Sequence, residues 1–290
     1  MKPRTFLELL VSAFHKWLDS HASLRAAALT YFIILPLPSL FLIIMMVLSQ
    51  IFGQTDSFQN LIHYITAVVG PTIANLIQQI LETAITPFTS ILTTITTIIF
   101  TSIGAIGAFH VLQNIMNDIW EIPPKKLGFT QKLKNKLVPF LTISTLGLAI
   151  IIWTGITAVL LNYITSLLNP LASNTIPILI QTTHIILSFG LATLLFAIMY
   201  KQIPDQPIEW KDVTLAATFT GFIFTLANHL IGIILELFTV TSITGAAGAV
   251  MILLLWIYLI TQLIIYGAAL SKVHSEKRTS HSHGPKPARH

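Results

Sequence analysis

A chain of 290 residues with 54% hydrophobic and 9% charged side chains is not an ordinary soluble domain, in which about a quarter of residues carry charge. Its net charge of +5 does not point to nucleic acid, because the basic residues sit at the ends and in short connections, without interleaved aromatics on one soluble face. The lack of cysteine excludes disulfides, thiol catalysis and Cys-ligated metal.

Every Lys and Arg belongs to one of four clusters. These are Lys2, Arg4, Lys16 and Arg25; Lys125, Lys126, Lys132, Lys134 and Lys136; Lys201 with Lys211; and Lys272, Lys277, Arg278, Lys286 and Arg289. A charge at the bilayer centre costs about 2.5–3.5 kcal/mol, and loops bearing Lys/Arg stay cytoplasmic. The clusters therefore divide the chain into membrane segments and orient it. The expected fold is an all-α polytopic membrane bundle with six transmembrane helices and amphipathic interfacial helices, residues 1–273 forming a single integral membrane domain.

Residues about 5–20 repeat apolar positions Phe6, Leu9, Leu10, Ala13, Phe14 and Trp17 at helical spacing around Glu8 and Asp19. That reads as an amphipathic helix on the cytoplasmic surface rather than a cleavable signal peptide. The first crossing, 26–52, carries Pro36 and Pro38, which remove two backbone donors and predict a kink or break. Broken helices also frame transport sites, so Pro36 and Pro38 are helix-break candidates. An outer segment at about 57–86 repeats apolar residues on both sides of Pro71 and predicts short interfacial or re-entrant helices. The second crossing, 88–112, is dense in Thr, Ser, Gly and Ala, which fits a close helix contact.

The loop after Trp120 offers Lys125, Lys126, Lys132, Lys134 and Lys136 to anionic lipid headgroups at about 1 kcal/mol per residue, or serves only to set topology. Crossings at 137–164 and 178–200 follow, separated by an Asn- and Pro-bearing turn. The fifth, 213–237, carries a small and polar stripe of Thr214, Thr218, Gly221, Thr225, Asn228, His229, Gly232 and Glu236. Two readings of this stripe stand: close helix packing, and a polar path with Asn228, His229 and Glu236 as its contacts. The sixth, 245–271, places Gln262 and Tyr266 on one face, either as packing with an interfacial aromatic or as further contacts of that path. Residues 274–290 are polar, with Pro285 and Pro287, and predict a disordered cytoplasmic tail. Even crossing number with basic ends places both termini in the cytoplasm.

No phosphate-binding loop, nucleophile elbow, HExxH or hydrolytic metal spacing occurs, so no enzyme, catalytic residue, cofactor or metal site is expected. Four segments carry a resemblance: SLRAAALTYF at 23–32, VLQNIMNDIW at 111–120, the stretch from Ile203-Pro204 to Glu209-Trp210-Lys211-Asp212, and GAAGAVMILLLWIYL at 245–259. Together they resemble the YihY/BrkB family of bacterial inner-membrane proteins, members of which once carried the label ribonuclease BN. The resemblance implies a six-helix membrane protein with cytoplasmic ends, linked to envelope integrity, lipid handling or small-solute transport. The family often ends helix six with Gly-Ala-Glu, where this chain has Gly267-Ala268-Ala269. The expected function is movement of a lipid or small solute for envelope maintenance. The alternative is a non-transporting scaffold that docks a periplasmic envelope protein through the outer segment.

Overall fold

The computed structural model describes residues 3–37, 91–123, 175–237 and 245–282, together with 62, 74, 75, 78, 138, 140–142 and 145. Among them the regular structure is α-helical, without a strand. Helix α1 spans Pro3–Asp19, α2 Ala22–Ile34, α3 Ile91–Ile119, α4 Thr175–Gln202, α5 Trp210–Leu237 and α6 Gly245–Ser282. The expected crossings at 88–112, 178–200, 213–237 and 245–271 fall on α3 to α6. The crossing at 137–164 and the outer segment at 57–86 lie outside the described residues, apart from the isolated positions.

A crossing needs about 20 mostly apolar residues. Among the described residues three stretches meet that requirement: Ile99–Ile119 in α3, Ile185–Gln202 in α4 and Met251–Thr279 in α6. Apolar side chains of the described helices also face outward. Ile99, Ile103 and Ile106 on α3, Phe222 and Leu226 on α5, and Leu255 and Leu259 on α6 are all exposed. A soluble protein would not spread exposed apolar side chains over so many helices.

The helix ends have local causes. At the α1–α2 turn His21 adopts a left-handed backbone, φ 51°, and its amide returns to Leu18 O at 3.1 Å. Glu121 closes α3 in the same conformation, φ 56°. Its amide bonds Asp118 O and the Ile122 amide bonds Asn117 O, at 3.1 and 2.9 Å, a Schellman-type ending built without glycine. Helix α2 stops at Ile34 because Pro36 has no amide to continue it, and Leu35 and Pro36 form a turn before Leu37. Pro36 is buried against α3: a Cβ on Gly104 would lie 2.6 Å from Pro36 Cδ. Pro38 lies outside the described residues.

Helix α6 is the axis of the bundle. It packs on α1, α2 and α5, while α3 flanks α2 and α4 flanks α5. The buried core gathers at one end, where Leu9, Ala26, Met116, Tyr200, Ala216 and Ala268 meet. Tyr200 is fully buried; its Oη donates to Ile264 O at 3.2 Å and is hydrogen-bonded with the Thr220 hydroxyl at 3.1 Å. Ala269 is fully buried in the same core.

Within the segment 274–290, expected as a disordered tail, residues 274–282 are helical, because α6 continues to Ser282; 283–290 lie outside the described residues. The physical reason is that its polar residues find partners: Lys277 reaches Glu8 at 3.7 Å and Arg278 reaches Glu209 at 2.8 Å. Composition registers polarity but not the carboxylates waiting on other helices.

A Cβ at Gly267 would overlap Tyr200 Oη and Thr220 Oγ1, whereas one at Gly190 meets nothing within 4 Å. Gly267→Ala is therefore expected to destabilise the protein by about 1–3 kcal/mol through overpacking. Gly190→Ala should be neutral or stabilising by up to about 1 kcal/mol through helix propensity. Thermal unfolding in detergent measures both.

Candidate functional site

Most of the charged side chains described pair at the end where the core lies, coming from the connections, from α1 and from the C-terminal part of α6. Arg25, at the start of α2, pairs with Asp118 near the end of α3 at 2.8 Å. Lys16 of α1 pairs with Glu121 just beyond α3. Lys272 of α6 sits between Glu121 at 3.8 Å and Glu276 at 3.2 Å, with its ammonium 5.7 Å from the centre of the Trp120 ring. Each pair joins two elements that are distant in the chain, except Lys272–Glu276, which spans one helical turn.

A second group clamps the α4–α5 connection. Gln113 Nε2 donates to Ile203 O at 3.2 Å and to Asp205 Oδ1 at 3.3 Å. Asn117 Nδ2 donates to Asp205 Oδ2 at 2.7 Å, and the Asp205 amide returns a bond to Asn117 Oδ1 at 2.9 Å. Lys201 closes the connection from the other side, donating to Ile208 O at 2.8 Å with its ammonium 4.8 Å from the Trp210 ring centre. The spacing of Gln113 and Asn117, one turn apart on α3, is what lets both reach a single loop.

Among the described residues the most enclosed charge is Asp212 in the first turn of α5, 3% exposed. Arg278 Nη2 donates to its Oδ2 at 3.0 Å, and Ser275 Oγ donates to the same oxygen at 3.1 Å. Arg278 Nε lies 2.9 Å from Oδ1, an ion-pair contact bent away from hydrogen-bond alignment. Ser271 Oγ adds a bond to the Asp212 carbonyl at 3.1 Å, and Arg278 Nη1 meets Glu209 at 2.8 Å. The negative charge also sits at the N-terminus of α5, where the helix dipole favours it.

Chemically this end is a cross-linked cap, and two of its acids, Glu121 and Glu209, are held below the ordinary carboxylate range. The Lys16 hydrogen bond, then its charge and that of Lys272, hold Glu121 below its ordinary value of 4.5. Arg278 lowers Glu209 in the same way. Among the described residues no group of His, Asp and Glu is arranged to hold a metal.

The sequence-predicted site residues occupy different places. Gln262 lies on α6, where its Nε2 donates to Tyr258 Oη at 2.7 Å. Its Oε1 is buried without a partner among the described residues. Tyr266 donates instead to Leu10 O on α1 at 3.0 Å and packs on Phe219. Asn228 is half-buried on α5; His229 and Glu236 belong to the same helix, and their side chains lie outside the description. No hydrogen bond among the described residues joins Asn228 to Gln262 or Tyr266. Along the stripe, Thr218 and Thr225 return their hydroxyls to Thr214 O and Gly221 O of their own helix, and Gly221 abuts Thr193 of α4. Lys125, Lys126, Lys132, Lys134 and Lys136 lie outside the described residues.

The Asp212–Arg278 and Asp205–Asn117 links are geometry of this end that sequence reasoning missed. A signal was present: most acidic residues share the connections that carry the basic ones.

Outward-facing apolar helices closed at one end by ion pairs define a helical membrane protein. The chain matches the family model described as virulence factor BrkB over residues 13–290, and it belongs to that family. It is 26% identical to a UPF0761 membrane protein of Acinetobacter baylyi over 284 residues, covering 94% of this chain and 64% of that relative. Over 260 residues it is 23% identical to a UPF0761 membrane protein of Pseudomonas aeruginosa, covering 88% and 60%. One from Azotobacter vinelandii is 24% identical over 261 residues, covering 89% and 60%. The chain spans less than two thirds of the length of these curated relatives. No solved structure matches it.

Arg278→Met is expected to lower the melting temperature by several degrees, because it leaves Asp212 buried without its cation. Glu209→Gln, at an exposed partner of the same arginine, should change it much less. The pH dependence has a defined sign. A carboxyl whose folded pKa is lowered stabilises the fold above its unfolded value and loses that contribution as pH falls through the folded value. Melting temperature should therefore hold above about pH 5 and fall below it. Glu121→Gln should flatten part of that fall.

Proposed function

We propose that the chain is a multi-pass protein of the bacterial inner membrane, with six crossings and both termini in the cytoplasm. Its role in this reading is to move, or help to move, a lipid or small solute for envelope maintenance, and not to act as an enzyme. The topology reading is supported by connections at 53–87, 165–177 and 238–244 that carry no Lys or Arg, and by the gathering of the described basic residues at one end.

The observation that carries the transport reading is the Gln262 amide. It lies in the apolar stretch of α6 with one oxygen buried and unpartnered among the described residues. Leaving such a group unsatisfied costs about 1–3 kcal/mol, and polar groups retained inside membrane helices mark substrate or ion paths. Asn228, His229 and Glu236 belong by sequence to the neighbouring α5, and Pro36 ends α2, features of the kind transport sites use. Lys125, Lys126, Lys132, Lys134 and Lys136 are assigned to anionic headgroups of the cytoplasmic leaflet.

The test is flux of labelled phospholipids and of small solutes in proteoliposomes holding the purified full chain. Wild type should support flux. The combined variant Asn228→Leu, His229→Leu, Glu236→Met and Gln262→Met should lose at least about tenfold, equivalent to about 1.4 kcal/mol, with insertion and yield unchanged. Undiminished flux in that variant removes the polar path. No flux from wild type, with an envelope protein crosslinked through residues 57–86, favours the scaffold.

A further inference from the structure

Helix α1 presents three different surfaces along its length. Leu9 and Ala13 are 1% and 0% exposed and face the bundle. Tyr266 Oη holds the backbone there through Leu10 O, and Phe6 meets Phe219 edge-on at 6.5 Å. Ser12, His15, Lys16 and Asp19 form a polar face that opens onto a cleft of about 600 Å³ shared with Val273, Glu276 and Lys277 of α6. The third surface is apolar and uncovered: Leu7, Val11, Phe14 and Leu18 are 61%, 55%, 48% and 50% exposed. Their spacing of four, three and four residues makes them a single stripe.

A helix with protein on one side, water on another and an apolar stripe on the third matches the boundary between a bilayer and its aqueous surface. Two further observations favour phospholipid as the occupant of the stripe. Phe14 stacks on Trp17 at 5.4 Å, so the exposed stripe carries a pair of aromatic rings, with the Trp17 Nε1 turned into the protein. Helix α1, which carries the stripe, also packs by its buried side on α6, whose Leu254, Leu255 and Leu259 face outward within a stretch long enough to span the membrane. Charge does not supply the attraction. The helix carries Arg4 and Lys16 against Glu8 and Asp19, with Lys16 committed to Glu121 and Glu8 facing Lys277.

We propose that α1 lies in the cytoplasmic surface of the bilayer with Leu7, Val11, Phe14 and Leu18 among the acyl chains. Apolar insertion, not attraction to anionic lipid, holds it there. The inference rests on the membrane reading of the bundle but is independent of what the protein transports. It assigns electrostatic lipid contact away from α1, which binds zwitterionic and anionic surfaces alike.

The cysteine-free chain allows a direct test with the full-length protein in vesicles. Single spin labels are introduced by Leu7→Cys, Val11→Cys, Phe14→Cys and Leu18→Cys, and on the polar face by Ser12→Cys and His15→Cys. Leu255→Cys on α6 is the control. Collision with oxygen relative to a nickel chelate should be at least about threefold higher for the stripe than for the polar face. The ratio should stay the same in pure phosphatidylcholine, with added phosphatidylglycerol, and at low or high salt. Stripe labels open to nickel while Leu255 is shielded would overturn the proposal and leave the membrane bundle intact. Nickel access at Leu255 as well would overturn the membrane reading itself. Spin–spin broadening at Phe14 would place a second copy on the stripe, and a depth that follows anionic lipid or salt would replace insertion by charge.

Discussion

A carboxylate with the enclosure of Asp212 has lost nearly all its water, and the fold must return an equivalent set of partners. Arg278 and Ser275 do so from α6, and Ser271 fixes the carbonyl of the same residue. Supplying that set aligns α6 beside the start of α5 and requires α6 to remain helical as far as Arg278. From that alignment follow the contacts one and two turns deeper, with Tyr266 on Phe219 and Gly267 under Tyr200 and Thr220. An axial helix fixed at its charged end can then receive α1 and α2 on its remaining faces.

Two kinds of adhesion divide the molecule. At the capped end, ion pairs and amide–carboxylate bonds connect loops and helix termini, where water lowers the cost of desolvating charge. Deeper along the helices, contact depends on small residues. Gly104 and Gly107 admit Pro36 and Phe32, and Gly221 admits Thr193. In a solvent as apolar as the side chains, burial of apolar surface gives little drive to associate, so close backbone approach must provide it. Thr30 and Thr261, 3.1 Å apart between α2 and α6, illustrate the modest hydrogen bonding that accompanies such contacts.

Much of this could be read from the residues themselves. The apolar runs of α3 to α6 appear because hydrocarbon tolerates no charge, and Pro36 announces the end of α2 because its nitrogen carries no proton. Helical spacing likewise assigns Phe6, Leu9, Leu10 and Ala13 to α1. What spacing does not encode is the partner across space. Gln113 and Asn117 could be recognised as two polar residues one turn apart, but not as the clamp on Asp205, a loop more than eighty residues away. The same limit made residues beyond 273 look like a tail, since Lys277 and Arg278 are polar in isolation and structural only beside Glu8, Glu209 and Asp212. Tyr266 shows the limit at a site residue: its place on the Gln262 face was readable, and its attachment to a backbone oxygen of α1 was not.

That attachment has a consequence for how the molecule can vary. Tyr266 grips α1 through the Leu10 carbonyl, a group every amino acid possesses, so the side chain at position 10 is released from making this particular link. Helix α1 could change its surface to suit a different lipid environment while remaining moored at the same point and in the same register. The burden of preserving the mooring falls on the hydroxyl of one tyrosine, and Phe in its place would retain the ring against Phe219 while letting the strap go.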